Sequence, residues 1–76
     1  MKNIIIVTGG AGFVGSNLIN LFLKKTKYKI FSIDNYSTGN KKNHIRNKRV
    51  KYFKCDTKEI SFKLKKYKKN IHSIFH

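Results

Sequence analysis

A glycine-rich turn that follows a short apolar segment constrains the fold of this chain more than any other feature. Residues 8–15 read TGGAGFVG, which fits G-x-G-x-x-G with Gly10, Gly12 and Gly15, and T-G-x-x-G-x-x-G with Gly9 in place of Gly10. Glycine permits a tight turn and lets the backbone approach a pyrophosphate closely. The spacing alone is a weak signal, so the segments on either side decide what it means.

Those flanking segments have the periodicity of a strand, a helix and a second strand. Residues 3–7 contain an unbroken apolar run from Ile4 to Val7, typical of a strand that is covered on both faces of a parallel sheet. Apolar side chains then recur at helical spacing, and this stripe predicts a helix that begins at Phe13 and ends near Lys24 and Lys25: Val14, Leu18, Leu21 and Phe22. Residues 29–34 predict the second strand, which completes a βαβ unit.

An acidic residue stands where a dinucleotide-binding βαβ unit requires one. Asp34 ends the second predicted strand, 19 residues after Gly15. Its carboxylate can accept hydrogen bonds from the adenosine ribose hydroxyls and would repel a 2′-phosphate, which favours NAD over NADP. The amides of Phe13 and Val14, in the first turn of the helix, would face the pyrophosphate. The alternatives are a purely structural glycine turn and, for Asp34, a turn residue at a strand end.

The remainder of the chain predicts further α/β structure. Residues 35–40 are rich in turn formers, residues 41–47 suggest a short helix and residues 50–55 a third strand. Residues 58–69 fit either a helix or an alternating strand, and their length and lysine content favour the helix. Residues 71–76 predict the opening of a fourth strand that the end of the chain interrupts.

The expected fold is therefore an incomplete Rossmann fold of the α/β class, with three strands and the start of a fourth in a doubly wound parallel sheet. We expect residues 1–76 to form part of one NAD(P)-binding domain, without a second domain. The cofactor crevice would open between the first and fourth strands, where the strand order reverses. Because the fourth strand is cut short, we expect one side of the first strand to be a long, unpaired apolar edge.

A net charge of +15 raises the alternative of a small basic module that binds nucleic acid or another polyanion. Lysines outnumber arginines 16 to 2 and are spread along the whole sequence, whereas nucleic-acid readers favour arginine. The codon usage of an AT-rich genome explains this composition more simply. The single cysteine excludes an internal disulfide, and no apolar run is long enough to span a bilayer, so we expect a cytoplasmic protein without a membrane partner.

The sequence TGGAGFVGSNL, followed by DNYSTGN at Asp34–Asn40, resembles the opening of the extended short-chain dehydrogenase/reductase family, in particular its NAD-dependent sugar-nucleotide epimerases and dehydratases. The resemblance implies that Phe13 and Val14 contact the pyrophosphate. It also implies that a loop surrounds the adenosine ribose, formed by Asp34, Asn35, Ser37, Thr38 and Gly39. Asp56, with Thr57 beside it, would bind the adenine amino group.

This chain departs from the family at the third strand. The family has Gly-Asp and an aliphatic residue there, whereas this sequence has Cys55, Asp56 and Thr57. Without the resemblance, Asp56 would be read as a helix N-cap. The full set of predicted cofactor-binding residues is Gly9, Gly12, Phe13, Val14, Gly15, Asp34, Asn35, Ser37, Thr38, Gly39, Asp56 and Thr57.

No catalytic residue of the family is found in the sequence. Catalysis in the family uses a tyrosine with a lysine four residues later. The four tyrosines here are followed at that spacing by Ser32, Asn40, Asp56 and Ile71. The resemblance thus implies the NAD-binding portion of an epimerase or dehydratase that is inactive alone. It implies a parent homodimer that binds the sugar nucleotide, and no specific nucleic-acid partner.

Four other features have mainly structural explanations. His72 and His76 have a zinc-ligand spacing for a helix, but they fall in a predicted strand, so we expect no metal site. His44 is expected in solvent, and Cys55 is expected to be a small buried side chain. The lysine run at 63–69 could touch nucleic acid or an anionic membrane, but a solvated helix face explains it better.

Overall fold

The computed structural model describes residues 2–9, 11–35, 42, 44–59, 62 and 64–75. Strand β1 (Ile4–Thr8) leads through the glycine turn into helix α1 (Phe13–Lys25), which is followed by strand β2 (Lys29–Asp34). Strand β3 (Val50–Lys54) comes next, and two 3-10 helices, at Thr57–Glu59 and Lys65–Asn70, connect it to strand β4 (Ile71–Phe75).

The four strands form one parallel sheet in the order β3-β2-β1-β4. The order reverses between β1 and β4, as expected for a doubly wound sheet, so the predicted α/β class and incomplete Rossmann architecture are confirmed. The expectation that β1 has an unpaired edge is wrong. β4 pairs with β1 from Ile4 to Val7, with an irregularity in register at Ile4 and Ile5, so the sheet ends at β3 and β4 instead. A five-residue strand is long enough to cover that side of β1.

Helix α1 packs on one face of the sheet through Ile19, with Leu18 and Phe22 of the predicted stripe partly buried beside it. The prediction is wrong for Val14 and Leu21, which are 78% and 48% exposed, because the helix turns the side that carries Ile19 towards the strands. Ile19 of α1 is fully buried against Ile5 and Val7 of β1 and Ile30 of β2. The end of α1 is held by Arg49, whose guanidinium donates hydrogen bonds to the carbonyl oxygens of Leu23 at 2.6 Å, Thr26 at 2.7 Å and Tyr28 at 3.3 Å. The bonds to Leu23 and Thr26 satisfy carbonyl groups that a helix C-terminus leaves without intrahelical partners.

The other face of the sheet is covered by the connection between β3 and β4. Leu64 is buried there with Ile4, Ile6, Phe31 and Ile33, and Tyr67 packs against the same cluster. Most of the described residues in the predicted helix over residues 58–69 belong to the two 3-10 helices, which are tighter than an α-helix. A 3-10 helix has three residues per turn, so Leu64 and Tyr67 are aligned on the side facing the sheet, while the described lysines of the run are exposed.

Two expectations for the segment before β3 differ from the structure. Residues 44–47 form no regular element, so the short helix predicted over 41–47 is wrong for that part. His44 is half-buried rather than solvated, because its ring stacks on Tyr52 with centroids 3.7 Å apart. The amide of Ile45 also donates to the Tyr52 hydroxyl at 2.7 Å, which holds the segment against β3.

Two further features of the described residues bear on function. No helix among them is long and apolar enough to cross a membrane. They also contain no group of three or more His, Cys, Asp or Glu side chains that could hold a metal ion. His72 lies exposed on β4 beside Ser73, whereas His76 lies outside the described residues.

Candidate functional site

A cleft of about 210 Å³ opens where β1, β2 and β3 end. In open parallel sheets, ligands bind outside the carboxyl ends of the strands. The lining side chains and backbone come from the last residues of these strands and from the residues that follow them: Thr8, Gly9, Ile33, Asp34, Asn35, Cys55 and Asp56. This volume is below the roughly 300–1,000 Å³ of a complete small-molecule pocket, so the cleft suits one part of a larger ligand.

Asp34 ties the glycine turn to the sheet. Its side chain is only 8% exposed, and its Oδ2 atom accepts a hydrogen bond from the Ala11 amide at 3.1 Å. The turn is held a second time by the backbone, because the Gly9 amide donates to the Ile33 carbonyl at 2.7 Å. A carboxylate is therefore fixed at the cleft by the loop that precedes α1.

The glycines of the turn have different conformations. Gly9 has a φ of +71°, in the left-handed region that non-glycine residues rarely adopt. Gly12 is extended, with a φ of −87°, and its amide donates to the Gly9 carbonyl at 3.0 Å. A Cβ atom on Gly12 would meet that same carbonyl oxygen at 3.4 Å, an ordinary contact. The fold thus favours glycine at position 9 and tolerates a methyl group at position 12.

The first turn of α1 has backbone amides that the helix itself leaves without an acceptor. The helical hydrogen bonds begin where the Ser16 amide donates to the Gly12 carbonyl at 2.9 Å, so the amides of Phe13 and Val14 have no intrahelical acceptor. Gly12, the N-cap residue, makes no side-chain cap, and the first turn contains no acidic residue. The Phe13 and Val14 side chains are 82% and 78% exposed. This end of α1 can accept an anion, because its partial positive charge is not neutralised by a side chain of the turn.

The third strand supplies the opposite wall of the cleft. The Cys55 amide donates to the Asp34 carbonyl at 3.1 Å, which places the residues after β3 beside the end of β2. Cys55 is buried, as predicted. Asp56 is exposed at the cleft, and its backbone caps the first 3-10 helix together with Glu59, through bonds of 2.9 and 3.3 Å. Asp56 therefore takes the N-cap position of this 3-10 helix through its backbone, and the side chain that completes the cap is that of Glu59.

The structure brings part of the predicted site together. Gly9, Asp34, Asn35 and Asp56 line the cleft. Gly12, Phe13 and Val14 form the start of α1, and Gly15 is buried in the helix, as expected for close packing on the sheet. Thr57 directly follows Asp56 at the start of a 3-10 helix. Ser37, Thr38 and Gly39 lie outside the described residues, as does Gly10.

Three lining residues, Thr8, Ile33 and Cys55, were not predicted as part of the site. Each lies at or just beyond the carboxyl end of a strand, and the topology of a doubly wound sheet places such residues at its crevice. The strand boundaries in the sequence therefore contained the signal that would have identified them.

Comparison with known proteins agrees with this geometry. Residues 5–76 match the model of the NAD dependent epimerase/dehydratase family. UDP-glucuronic acid decarboxylase 6 of Arabidopsis thaliana is 49% identical over 39 residues, which are 51% of this chain and 11% of that protein.

Solved structures show the same fold. The Bordetella bronchiseptica enzyme WbmF, in complex with NAD+, superposes with a TM-score of 0.83 and 27% identity, over 99% of this chain and 22% of that one. UDP-glucose 4-epimerase of Thermotoga maritima, with UDP-glucose, gives a TM-score of 0.76 and 26% identity, over 96% of this chain and 23% of that one. This chain spans less than a quarter of each of these three proteins. By its sequence and its fold, it belongs to the NAD-dependent epimerase/dehydratase family.

Proposed function

We propose that this chain binds NAD through the adenosine and pyrophosphate groups, as the N-terminal portion of the Rossmann domain of a sugar-nucleotide epimerase or dehydratase. The observation that carries the proposal is the position of the Asp34 carboxylate. The Ala11 amide holds this carboxylate at the cleft. Ala11 comes directly before Gly12, the N-cap of α1, where no side chain caps the helix. The structural relative WbmF was solved with NAD+, which supports the same cofactor here.

The adenosine end of the cofactor would lie between β2 and β3. Asp34 accepts hydrogen bonds from the ribose hydroxyls, and its negative charge disfavours the 2′-phosphate of NADP. Asn35, at the cleft, and Ser37, Thr38 and Gly39 after it complete the ribose-binding loop. On the β3 side, the carboxylate of Asp56 binds the adenine amino group, with Thr57 beside it. Both carboxylates line one cleft, which supports this division of roles.

The pyrophosphate would lie on the first turn of α1. The amides of Phe13 and Val14 donate to its oxygens, and the helix dipole favours its negative charge. Gly9 provides the turn, Gly12 lets the backbone approach the phosphates, and Gly15 allows α1 to pack closely on the sheet. The nicotinamide of bound NAD supplies hydride transfer. The 76-residue sequence has no Tyr-x-x-x-Lys pair to assist it, so we expect no epimerase, dehydratase or dehydrogenase activity from this chain alone.

A longer parent protein would bind the sugar nucleotide, and its relatives act on different ones. UDP-glucuronic acid decarboxylase 6 and UDP-glucose 4-epimerase both match this chain. We propose a parent that is a cytoplasmic homodimer and an epimerase, dehydratase or decarboxylase of a nucleotide sugar.

The proposal is tested by calorimetric titration of the chain with NAD and with NADP. Asp34→Asn keeps an acceptor for the Ala11 amide but removes the charge that the ribose hydroxyls and the 2′-phosphate would meet. Hydrogen bonds to a charged group are worth about 1.5–3 kcal/mol, so NAD affinity is expected to fall about 10- to 150-fold. NADP affinity should fall less or rise, because the repulsion of its 2′-phosphate is removed.

Asn20→Asp is the matched control, since it makes the reverse change at an exposed position two turns along α1. It should leave both affinities unchanged. The proposal fails if the unmodified chain does not bind NAD, or if Asp34→Asn binds NAD as tightly as the unmodified chain.

A further inference from the structure

Eight of the sixteen lysines that are scattered along the sequence are gathered by the fold at one end of the molecule. In a parallel sheet the amino ends of all strands lie at the same edge, and here every strand is preceded or begun by lysine. Six exposed lysines flank these strand starts: Lys2, Lys27, Lys29, Lys48, Lys68 and Lys69. Because α1 runs back across the sheet, its last residues, the exposed Lys24 and Lys25, reach the same edge. We call these eight residues the basic end.

Backbone hydrogen bonds fix this arrangement. The Asn3 amide donates to the Asn70 carbonyl at 2.9 Å, and the Lys29 amide donates to the Asn3 carbonyl at 2.8 Å. The Ile30 amide donates to the Arg49 carbonyl at 2.8 Å. The segments before β3, β2, β1 and β4 thus follow one another in a row, at the strand spacing of about 4.8 Å. The Arg49 guanidinium draws the end of α1 into this row through Leu23 and Thr26.

The acidic residues are at the opposite end. The chain has only three, and Asp34, Asp56 and Glu59 all lie at or beyond the carboxyl ends of β2 and β3. A strand of five residues separates the two ends by about 17 Å. That distance exceeds the Debye length of about 10 Å at 0.1 M salt, so the carboxylates do little to neutralise the basic end.

We infer that the basic end is a binding surface for the phosphate backbone of double-stranded nucleic acid, which it recognises by charge and without sequence preference. A duplex carries one negative charge per about 1.7 Å of its axis, and lysines that neutralise phosphates release bound counterions. Most of the large exposed apolar side chains of the described residues lie at the opposite edge of the sheet, at the start of α1 and the end of β4: Phe13, Val14, Ile74 and Phe75. Peripheral membrane binding combines charge with apolar insertion, so this surface favours nucleic acid over a lipid bilayer. The inference does not rest on NAD binding, because the basic end and the cleft are at opposite edges of the sheet.

The test separates the arrangement of the lysines from the net charge of +15. One variant of the full chain combines Lys27→Gln, Lys48→Gln and Lys69→Gln, which all lie in the basic end. The control combines Lys54→Gln, Lys58→Gln and Lys65→Gln, which are also exposed and lie outside it. Both variants lose three charges, and circular dichroism checks that both keep the fold. The probe is a labelled DNA duplex of about 24 base pairs, titrated by fluorescence anisotropy at several salt concentrations.

Each neutralised phosphate contributes about −0.9 to the slope of log K against log salt concentration. We expect the first variant to have a slope shallower by up to about 2.7, and at about 100 mM salt an affinity lower by about eightfold for each phosphate that is no longer neutralised. The control should keep the slope and stay within about threefold of the unmodified chain. Equal reductions in affinity in the two variants, or no reduction in either, would overturn the inference. Tighter binding to vesicles of phosphatidylserine and phosphatidylcholine than to the duplex at the same salt concentration would also overturn it.

Discussion

Replacing Gly12 with alanine is expected to weaken NAD binding while leaving the stability of the fold almost unchanged. The added Cβ would lie 3.4 Å from the Gly9 carbonyl oxygen, an ordinary contact, and the backbone at Gly12 is extended. Alanine is a poorer N-cap than glycine by about 0.5–1 kcal/mol. It also restricts the unfolded chain, which stabilises the fold by about 0.4–1 kcal/mol. The two effects nearly cancel, so the free energy of unfolding should change by less than about 0.5 kcal/mol.

The same methyl group would occupy the path of the pyrophosphate towards the amides of Phe13 and Val14. Forcing one extra carbon into a close contact costs about 1–3 kcal/mol, so the dissociation constant for ADP-ribose is expected to rise about 5- to 150-fold. Gly9→Ala is the contrasting variant. No described atom lies within 4 Å of its Cβ, but the φ of +71° is strained for alanine, and the fold should lose about 1 kcal/mol.

Urea denaturation and calorimetric titration with ADP-ribose measure these two quantities. The reasoning is refuted if Gly12→Ala binds ADP-ribose as tightly as the unmodified chain. It is also refuted if Gly12→Ala loses more stability than Gly9→Ala, because the glycine at position 12 would then serve the fold and not the ligand.

Two further substitutions test the packing. Arg49→Ala removes the three hydrogen bonds that hold the end of α1 and the residues after it, and should lower the free energy of unfolding by about 2 kcal/mol. Arg49→Lys should recover less than half of this loss, because an ammonium group lacks the guanidinium fork. Thermal denaturation checks this, and an unchanged melting temperature in Arg49→Ala would contradict it. Ser32 is fully buried and its hydroxyl has no hydrogen-bond partner among the described residues, so Ser32→Ala should raise the free energy of unfolding in urea by about 1 kcal/mol. A loss of stability would show that the hydroxyl is satisfied in solution.

The first half of the fold could be predicted from the sequence because its signals are local. An apolar run, a glycine turn and a helical stripe follow one another and together predict a βαβ unit, and α1 begins at Phe13 and ends at Lys25, as predicted. β2 also matches the prediction at both ends, and β3 ends one residue earlier than expected. The site was predictable to the same extent, since Gly9, Asp34 and Asp56 were chosen from the motif and the resemblance and all line one cleft.

The features that the sequence did not reveal depend on contacts between distant segments. The position of His44 is set by stacking on Tyr52 of β3, and that of Arg49 by the end of α1. The pairing of β4 with β1 joins segments more than 60 residues apart. The basic end is the largest feature that the sequence did not predict. Its lysines are evenly spread in the sequence, and they come together only because every strand of a parallel sheet starts at the same edge.

The most direct test of the proposed cofactor site is a titration of the isotope-labelled chain with ADP-ribose, followed by two-dimensional amide NMR. We expect the largest chemical-shift changes at the amides of Gly9, Gly12, Phe13 and Val14, and at Asn35 and Asp56 around the cleft. The amide signals of the basic end, such as those of Lys27 and Lys69, should shift no more with ADP-ribose than they do with the same concentration of inorganic phosphate. Shifts confined to the basic end, or none at the glycine turn, would contradict the assignment of the cleft as the NAD site.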